Sequence, residues 1–280
     1  MKIEHLISRK WWKTTLLVLA AVAVMVRLGF WQLDRLAQRK AFNTRVEAQL
    51  AEPALGLSNA NLDLDLYNME YRDAFVRGEY DHERQLVLRN QDWQGRLGVH
   101  LLTPLVIEGS NQAVLVDRGW IPYEDFTEDR LDKYDEPRMV EVDGTLRRSQ
   151  TKPLIGGRAD QVPGPGDPPL KAWYWINIPG ISGQLPYELL PVYIHSSPDA
   201  AVNELPYRSQ QEPELTEGSH LGYAFQWFTF AAILGIGYPI YVRKEEARAA
   251  GANKKASTYV QKKNSIHNHP ERDKKGYEKA

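Results

Sequence analysis

Two charge-free apolar segments constrain this chain most, because each stands where the sign of the charge changes. Leu221 to Val242 is 22 residues without a charged side chain. A helix needs about 20 such residues to cross a bilayer core roughly 30 Å thick. Aromatics stand toward both ends, Tyr223, Trp227 and Phe228 at one and Tyr238 and Tyr241 at the other, as in interfacial belts. The first segment, Thr14 to Leu33, is interrupted by Arg27. Its uncharged start behind a basic head also describes a cleavable signal peptide, with Ala21-Val22-Ala23 as the cleavage site. The apolar pattern resumes after Arg27, however. Leu36, Ala37, Ala41, Val46 and Leu50 then follow at helical spacing among charges. This favours a retained spanning helix that runs on beyond the membrane.

The net charge of −1 conceals a segregation: residues 1–13 carry +3, residues 243–280 carry +6, and the stretch between them carries −10. The positive-inside pattern places both basic ends in the cytoplasm and Asp34 to His220 outside. The expected organisation is a head over 1–13, a span over 14–33, an outer domain over 34–220, a span over 221–242 and a tail over 243–280. The tail has helical propensity to about Ala250, and beyond Gly251 it has too little apolar surface to order. We read it as a cytoplasmic flank beside membrane lipid, with no nucleic-acid partner. The His267–His269 pair in it has no third ligand and no rigid frame. A multi-pass protein of the plasma membrane is expected, or of the inner mitochondrial membrane in a eukaryote.

The outer segment reads mainly as β. Strands are predicted over Asp73–Tyr80, Gln85–Arg89, Val99–Ile107, Ala113–Asp117, Met139–Leu146, Trp173–Ile178 and Leu189–Ile194. The turn cluster Glu108-Gly109-Ser110-Asn111 joins two of them as a hairpin. Pro153 to Pro169, with Gly156-Gly157 and Pro163-Gly164-Pro165-Gly166, has no periodicity and reads as a loop. Asp125 to Lys133 is a helical candidate. The fold class is thus a membrane protein whose two transmembrane helices flank a mainly antiparallel β domain, a sheet or small barrel.

Catalytic signatures are scarce. The chain has no cysteine, which excludes disulfides, thiolate metal sites and cysteine nucleophiles. No nucleophile elbow, phosphate loop or zinc-protease motif occurs. Glu124, Asp125, Glu128 and Asp129 form a charge run that reads as a solvated face. His82, His100, His195 and His220 show no ligand spacing among themselves. No enzyme is expected.

Three strings carry more information. They are Leu28-Gly29-Phe30-Trp31-Gln32-Leu33-Asp34-Arg35 at the end of the first span, Val114-Leu115-Val116-Asp117-Arg118-Gly119-Trp120-Ile121-Pro122 in the middle, and His220-Leu221-Gly222-Tyr223-Ala224-Phe225-Gln226-Trp227-Phe228 at the start of the second span. Their order and spacing resemble the Surfeit-locus-one family of membrane proteins. The resemblance departs at Gly218-Ser219 and Gly222 in the third string, and at Asp117, where that family often has Asn. It implies an assembly factor for haem-copper cytochrome oxidase, with haem a as a transient cofactor and with cytochrome c oxidase subunit I and haem a synthase as partners. A membrane-anchored scaffold or sensor that binds only protein fits the topology equally well.

Within that resemblance a haem site at the outer mouth of the helices is expected. His220 would offer an imidazole to iron, Arg27 would pair with a propionate, and Tyr223 and Gln226 lie about one and two turns below His220. A charge within a span costs roughly 2.5–3.5 kcal/mol, which is why Arg27 draws notice, although its side chain can also snorkel to the headgroups. Trp31, Gln32 and Trp227 are read as either ligand contacts or a staple between the helices, with Gly29 as a close-packing notch. Arg118, Gly119 and Trp120 are read as either a tight strand end packed on the core or an exposed partner surface.

Overall fold

The computed structural model describes residues 8–127, 129–150, 159–164, 166–198, 204–209 and 213–267. The chain divides into two compact units, one of residues 1–40 and 216–280 and the other of residues 41–215.

The first unit is a pair of helices. Helix α1 spans Trp12–Ala51 and carries the chain from this unit into the second without a break, as the helical spacing past Leu33 predicts. Helix α4 spans His220–His267. Both are long and apolar enough to cross a membrane. Their large side chains are mostly exposed, among them Leu16, Leu17, Leu19, Phe225, Ile233, Ile236 and Ile240. Two apolar helices with bare flanks need a nonaqueous surround, and a bilayer is that surround. The two helices run antiparallel: Thr15 Oγ1 lies 2.7 Å from the Tyr238 hydroxyl, Trp11 Nε1 donates to Glu246 at 2.7 Å, and a Cβ on Gly29 would stand 2.7 Å from the Phe228 ring. The notch at Gly29 is therefore filled by Phe228, which also meets Phe30 edge-on at 5.3 Å. Contrary to the expectation for residues beyond Gly251, α4 continues through them to His267. Local i→i−4 bonding carries it there: Ala, Lys and Gln are good helix formers, and no proline intervenes after Pro239 until Pro270. His269 lies outside the described residues.

The second unit is a β-barrel. Strands β2 (Asp73–Tyr80), β4 (Arg96–Ile107), β5 (Gln112–Pro122), β6 (Met139–Arg148) and β8 (Glu188–Ser196) close in the order β2-β6-β8-β5-β4, with β4 returning to pair with β2. Every pairing in the ring is antiparallel except β5 with β8. Short strands β1 (Leu55–Leu57) and β7 (Ala172–Trp173) and the longer β3 (Leu86–Trp93) extend the sheet beyond the ring. The alternation along β2, exposed then buried at each step, shows why the barrel closes. Ala74, Val76 and Tyr80 point inward with Leu105, Ile107, Val114, Val116, Val142, Leu146 and Ile194. Each such aliphatic side chain contributes roughly 1.5–3 kcal/mol when fully buried.

Strands β4 and β5 are buried on both faces, because a second apolar layer covers their outer side. Trp173, Ile176, Ile178 and Ile181 from the segment around β7 and helix α3 (Ile178–Ser182) pack there on Leu102, Leu115 and Tyr193. Of the predicted strand Trp173–Ile178 only Trp173 is in a strand, the two-residue β7. Asn177 caps α3 through its side chain, accepting from Gly180 N at 3.2 Å, with Pro179 in the first turn. The helical candidate Asp125–Lys133 resolves into helix α2 (Tyr123–Thr127) and a 3-10 turn at Leu131–Tyr134. Asp125 departs from the solvated-face reading: it is buried and binds Arg130, Lys133 and the Tyr134 hydroxyl. Glu128 lies outside the described residues. So do 153–158 and 165 of the Pro/Gly stretch, whose described residues carry neither helix nor strand.

Candidate functional site

The helix pair brings two of the predicted residues together. Gln32 on α1 and His220 at the first position of α4 meet, with His220 Nδ1 at 2.8 Å from Gln32 Oε1. The amide oxygen is an acceptor, so Nδ1 is the nitrogen that donates, and in that tautomer Nε2 keeps its lone pair. The approach to His220 is built by local contacts. Arg39 Nε donates to Thr216 O at 3.0 Å, Lys40 pairs with Glu217 at 3.4 Å, and Gly218 turns the chain at φ +67°. A Cβ at 218 would stand 3.6 Å from His220 Nε2, so the glycine leaves that nitrogen open on one side. The donor set fits an axial imidazole: one nitrogen is held by a carbonyl oxygen and the other has no partner among the described residues.

The remaining predicted haem contacts do not converge on it. Arg27 is exposed and makes no ion pair or hydrogen bond among the described residues. Five residues separate it from Gln32, about 140° around a helix of 3.6 residues per turn, so it faces away from the seam that His220 occupies. The snorkelling reading of Arg27 suits this face. Tyr223 and Gln226 are exposed on α4, as is Trp31 on α1. Trp227 is half-buried and packs edge-on with Phe230 of its own helix at 6.3 Å. The contact between the helices at this level rests on Gln32, His220 and the Gly29–Phe228 pair.

In the barrel, the Arg118-Gly119-Trp120 string is a packing device. Leu101 pairs with Gly119 and Leu102 with Asp117, which leaves Arg118 as the extra residue of a β-bulge. Arg118 and Trp120 are both fully buried, so an exposed Arg–Trp rim for a partner is not present. The guanidinium plugs one mouth of the barrel. It donates to Gln85 Oε1 at 3.0 Å, to Thr103 Oγ1 at 3.3 Å, to Glu136 Oε1 at 3.0 Å and to the Tyr134 carbonyl, and it lies 5.1 Å from the Tyr80 ring centroid. Gly119 has φ +115°, and a Cβ there would stand 2.5 Å from Tyr207 O. Trp120 exchanges two backbone hydrogen bonds of 2.9 Å with Tyr207, and their rings stack at 6.0 Å.

The sequence reading passed over a second constellation. Asp73, Thr145, His195 and Asp117 are directly paired across four neighbouring strands, β2 to β6 to β8 to β5. Asp117 Oδ2 accepts from His100 Nδ1 at 2.9 Å and from His195 Nδ1 at 3.1 Å, and Oδ1 accepts from Gly119 N at 3.1 Å. His195 Nε2 also donates, to Ser209 O at 2.7 Å. Both His195 nitrogens thus face acceptors, an arrangement that favours the imidazolium. Burial alone would lower its pKa, but the hydrogen bond and charge of Asp117 and the Ser209 carbonyl outweigh that and raise it. For Asp117, burial works to raise the carboxyl; His100 and His195 outweigh it and hold it well below the ordinary carboxylate range. Positions 100, 117 and 195 have no spacing that a sequence pattern could flag. The hairpin turn at 108–111 was a usable signal for His100 and Asp117, since folding about it brings them within two residues of register.

The sign of the resulting pH dependence follows. A His195 pKa raised in the folded state stabilises fully below its unfolded value, about 6.5, and that stability is lost as pH rises through the folded value. Asp117 adds stability above about pH 4 that is lost only in acid. The stability gap between the wild type and His195→Gln should therefore be widest near pH 5.5 and narrow toward pH 8.5 in chemical denaturation. A gap independent of pH would remove the imidazolium.

Comparison with known proteins agrees with the three strings. A model of the SURF1 family matches residues 19–232, most of α1, the whole barrel and the first part of α4. A SURF1-like protein of Rickettsia bellii is 27% identical over 240 residues, covering 84% of this chain and 93% of that protein. A SURF1-like protein of Caenorhabditis briggsae is 22% identical, covering 80% and 74%. Surfeit locus protein 1 of Xenopus tropicalis is 24% identical, covering 78% and 71%. With two apolar helices flanking a barrel and a model match over most of its length, the chain belongs to the SURF1 family.

Proposed function

We propose that the protein is a non-enzymatic assembly factor of haem-copper cytochrome oxidase, with both termini in the cytoplasm and the barrel on the outer face. On this reading it receives haem a as cargo at the outer mouth of the two helices, beside subunit I and haem a synthase. The observation that carries it is the His220–Gln32 pair, with Nδ1 held at 2.8 Å and Nε2 without a partner among the described residues. Imidazole so oriented is a ready iron ligand. Gln32 fixes the ring plane, and Gly218 keeps the approach to Nε2 open. The SURF1 membership supports the oxidase as the client, and the basic head and tail support the orientation.

The test is spectroscopic. Protein purified from cells that make haem a should show a Soret band, and His220→Ala should lose it while remaining in the membrane. Gln32→Leu should shift or weaken the band, because the ring loses its orienting acceptor. Arg27→Leu should leave it unchanged, since that side chain faces away. A wild-type protein without a Soret band would favour the scaffold that binds only protein.

A further inference from the structure

We propose that the cavity on the outer face of strands β2, β6 and β8 binds a small organic carboxylate, gripped by Arg147. The cavity is about 280 Å³ and lies wholly within the barrel unit.

Arg147 is the observation that asks for a ligand. Its side chain is about three-quarters buried, and the guanidinium carbon stands 4.5 Å from the Tyr71 ring centroid, which fixes its plane. Nε is fully buried and has no hydrogen-bond partner. The closest carboxylate, Glu70, is 4.0 Å away, beyond hydrogen-bond reach, and it is shared with Arg148 at 3.5 Å. Among the described residues Arg147 donates no hydrogen bond at all. A guanidinium carries five N–H donors; the Nε donor is the one shut off from solvent here, and leaving a buried donor unmet is costly.

The walls say what kind of molecule satisfies it. The imidazolium of His195 borders the cavity beside Arg147, and the two cations repel, Arg147 working to lower the His195 pKa. An anion bound beside both relieves that repulsion. Asp73 stands at the exposed rim, where its carboxylate accepts from Thr145 Oγ1 at 3.2 Å. Asp73 at the rim and Glu70 at 4.0 Å from Arg147 disfavour a doubly charged phosphate and leave a monoanion as the better match. The planar fork of arginine suits a carboxylate in two parallel hydrogen bonds. Leu50, Pro213 and Leu215 add apolar lining, so the carboxylate is carried on a small apolar body. At the roughly 30 Å³ that a water occupies in the liquid, the volume accommodates about nine or ten non-hydrogen atoms.

The probe is 4-fluorobenzoate, followed by fluorine NMR with the full chain in lipid nanodiscs and with empty nanodiscs as the blank. Saturable broadening of the fluorine line is expected. The amine counterpart, 4-fluorobenzylamine, should show none. Arg147→Gln should weaken binding at least tenfold with an unchanged melting temperature. Leu215→Trp, which fills the cavity from its apolar side, should abolish binding and keeps the test decisive if Arg147→Gln does not fold. Equal binding by Arg147→Gln, or equal binding of the amine, overturns the proposal. Displacement of the probe by inorganic phosphate at lower concentration than by acetate overturns the carboxylate assignment, and absence of any saturable signal in the wild type overturns the site.

Discussion

Arg118→Ala should lower the stability of the barrel by about 3–5 kcal/mol, the range seen when one partner of a buried ion pair is removed. The guanidinium is the fully buried partner, with Glu136 at 3.0 Å. Its loss leaves Gln85 Oε1, Thr103 Oγ1 and the Tyr134 carbonyl without their common donor, and it opens a void against the Tyr80 ring. Glu136 keeps Arg208 at 2.9 Å, which softens the effect without cancelling it. Arg118→Lys should recover only part, because one ammonium cannot reach acceptors that a planar fork meets on several sides. Chemical denaturation followed by near-ultraviolet circular dichroism measures both variants. If Arg118→Ala keeps wild-type stability and loses only oxidase assembly, Arg118 acts on a partner and the plug account fails.

Gly119→Val should be as damaging, at about 3 kcal/mol or more, through a different cause. At φ +115° an L side chain is strained wherever it points, at a cost of order 1–3 kcal/mol. Here the added Cβ also meets a backbone carbonyl, Tyr207 O at 2.5 Å, which cannot swing aside as a side chain could. Relief requires breaking the two 2.9 Å bonds between Trp120 and Tyr207 and separating the Tyr207 ring from the two it stacks with, Trp120 at 6.0 Å and Trp93 at 5.3 Å. Limited proteolysis reports this directly: the segment around Tyr207 should be cut far faster in Gly119→Val than in the wild type. A cleavage rate equal to that of the wild type would show that the bulge can relax without releasing Tyr207.

The two variants touch adjacent residues of one string, and the string shows how far a sequence reading reaches. Gly119 between Arg118 and Trp120 reads as a turn-permitting glycine, and the positive φ agrees. Whether Arg118 and Trp120 faced solvent or core stayed open, because an arginine in a strand is ordinarily exposed. The reason it is buried lies elsewhere in the chain: Gln85, Thr103, Tyr134 and Glu136 supply the acceptors. No local pattern around residue 118 contains them. The same holds for Asp125, whose buried carboxylate is explained by Arg130, Lys133 and Tyr134 converging around a broken helix.

What the sequence alone determined is what local periodicity and charge encode. A run of 22 uncharged residues specifies a spanning helix whatever the rest of the chain does, and continued helical spacing past Leu33 carried α1 to Ala51. Alternation marked Asp73–Tyr80 as a strand to the residue, and a turn cluster made β4 and β5 a hairpin. Tertiary structure decided everything that depends on which distant segments meet. Closure of the barrel needs β2 to pair with β4 as well as β6. The parallel pairing of β5 with β8 spans a long crossover, and it alone sets His195 beside Asp117. On the helices, the residues Arg27, Tyr223, Gln226, Gln32 and His220 lie close together in depth, but only rotation about each axis decides which face the seam. Packing of Phe228 against Gly29 fixes that rotation, turning Gln32 and His220 toward each other and Arg27 away. Side-chain period is a property of a few neighbouring residues, whereas pairing and rotation are set by the total burial of surfaces far apart in the chain.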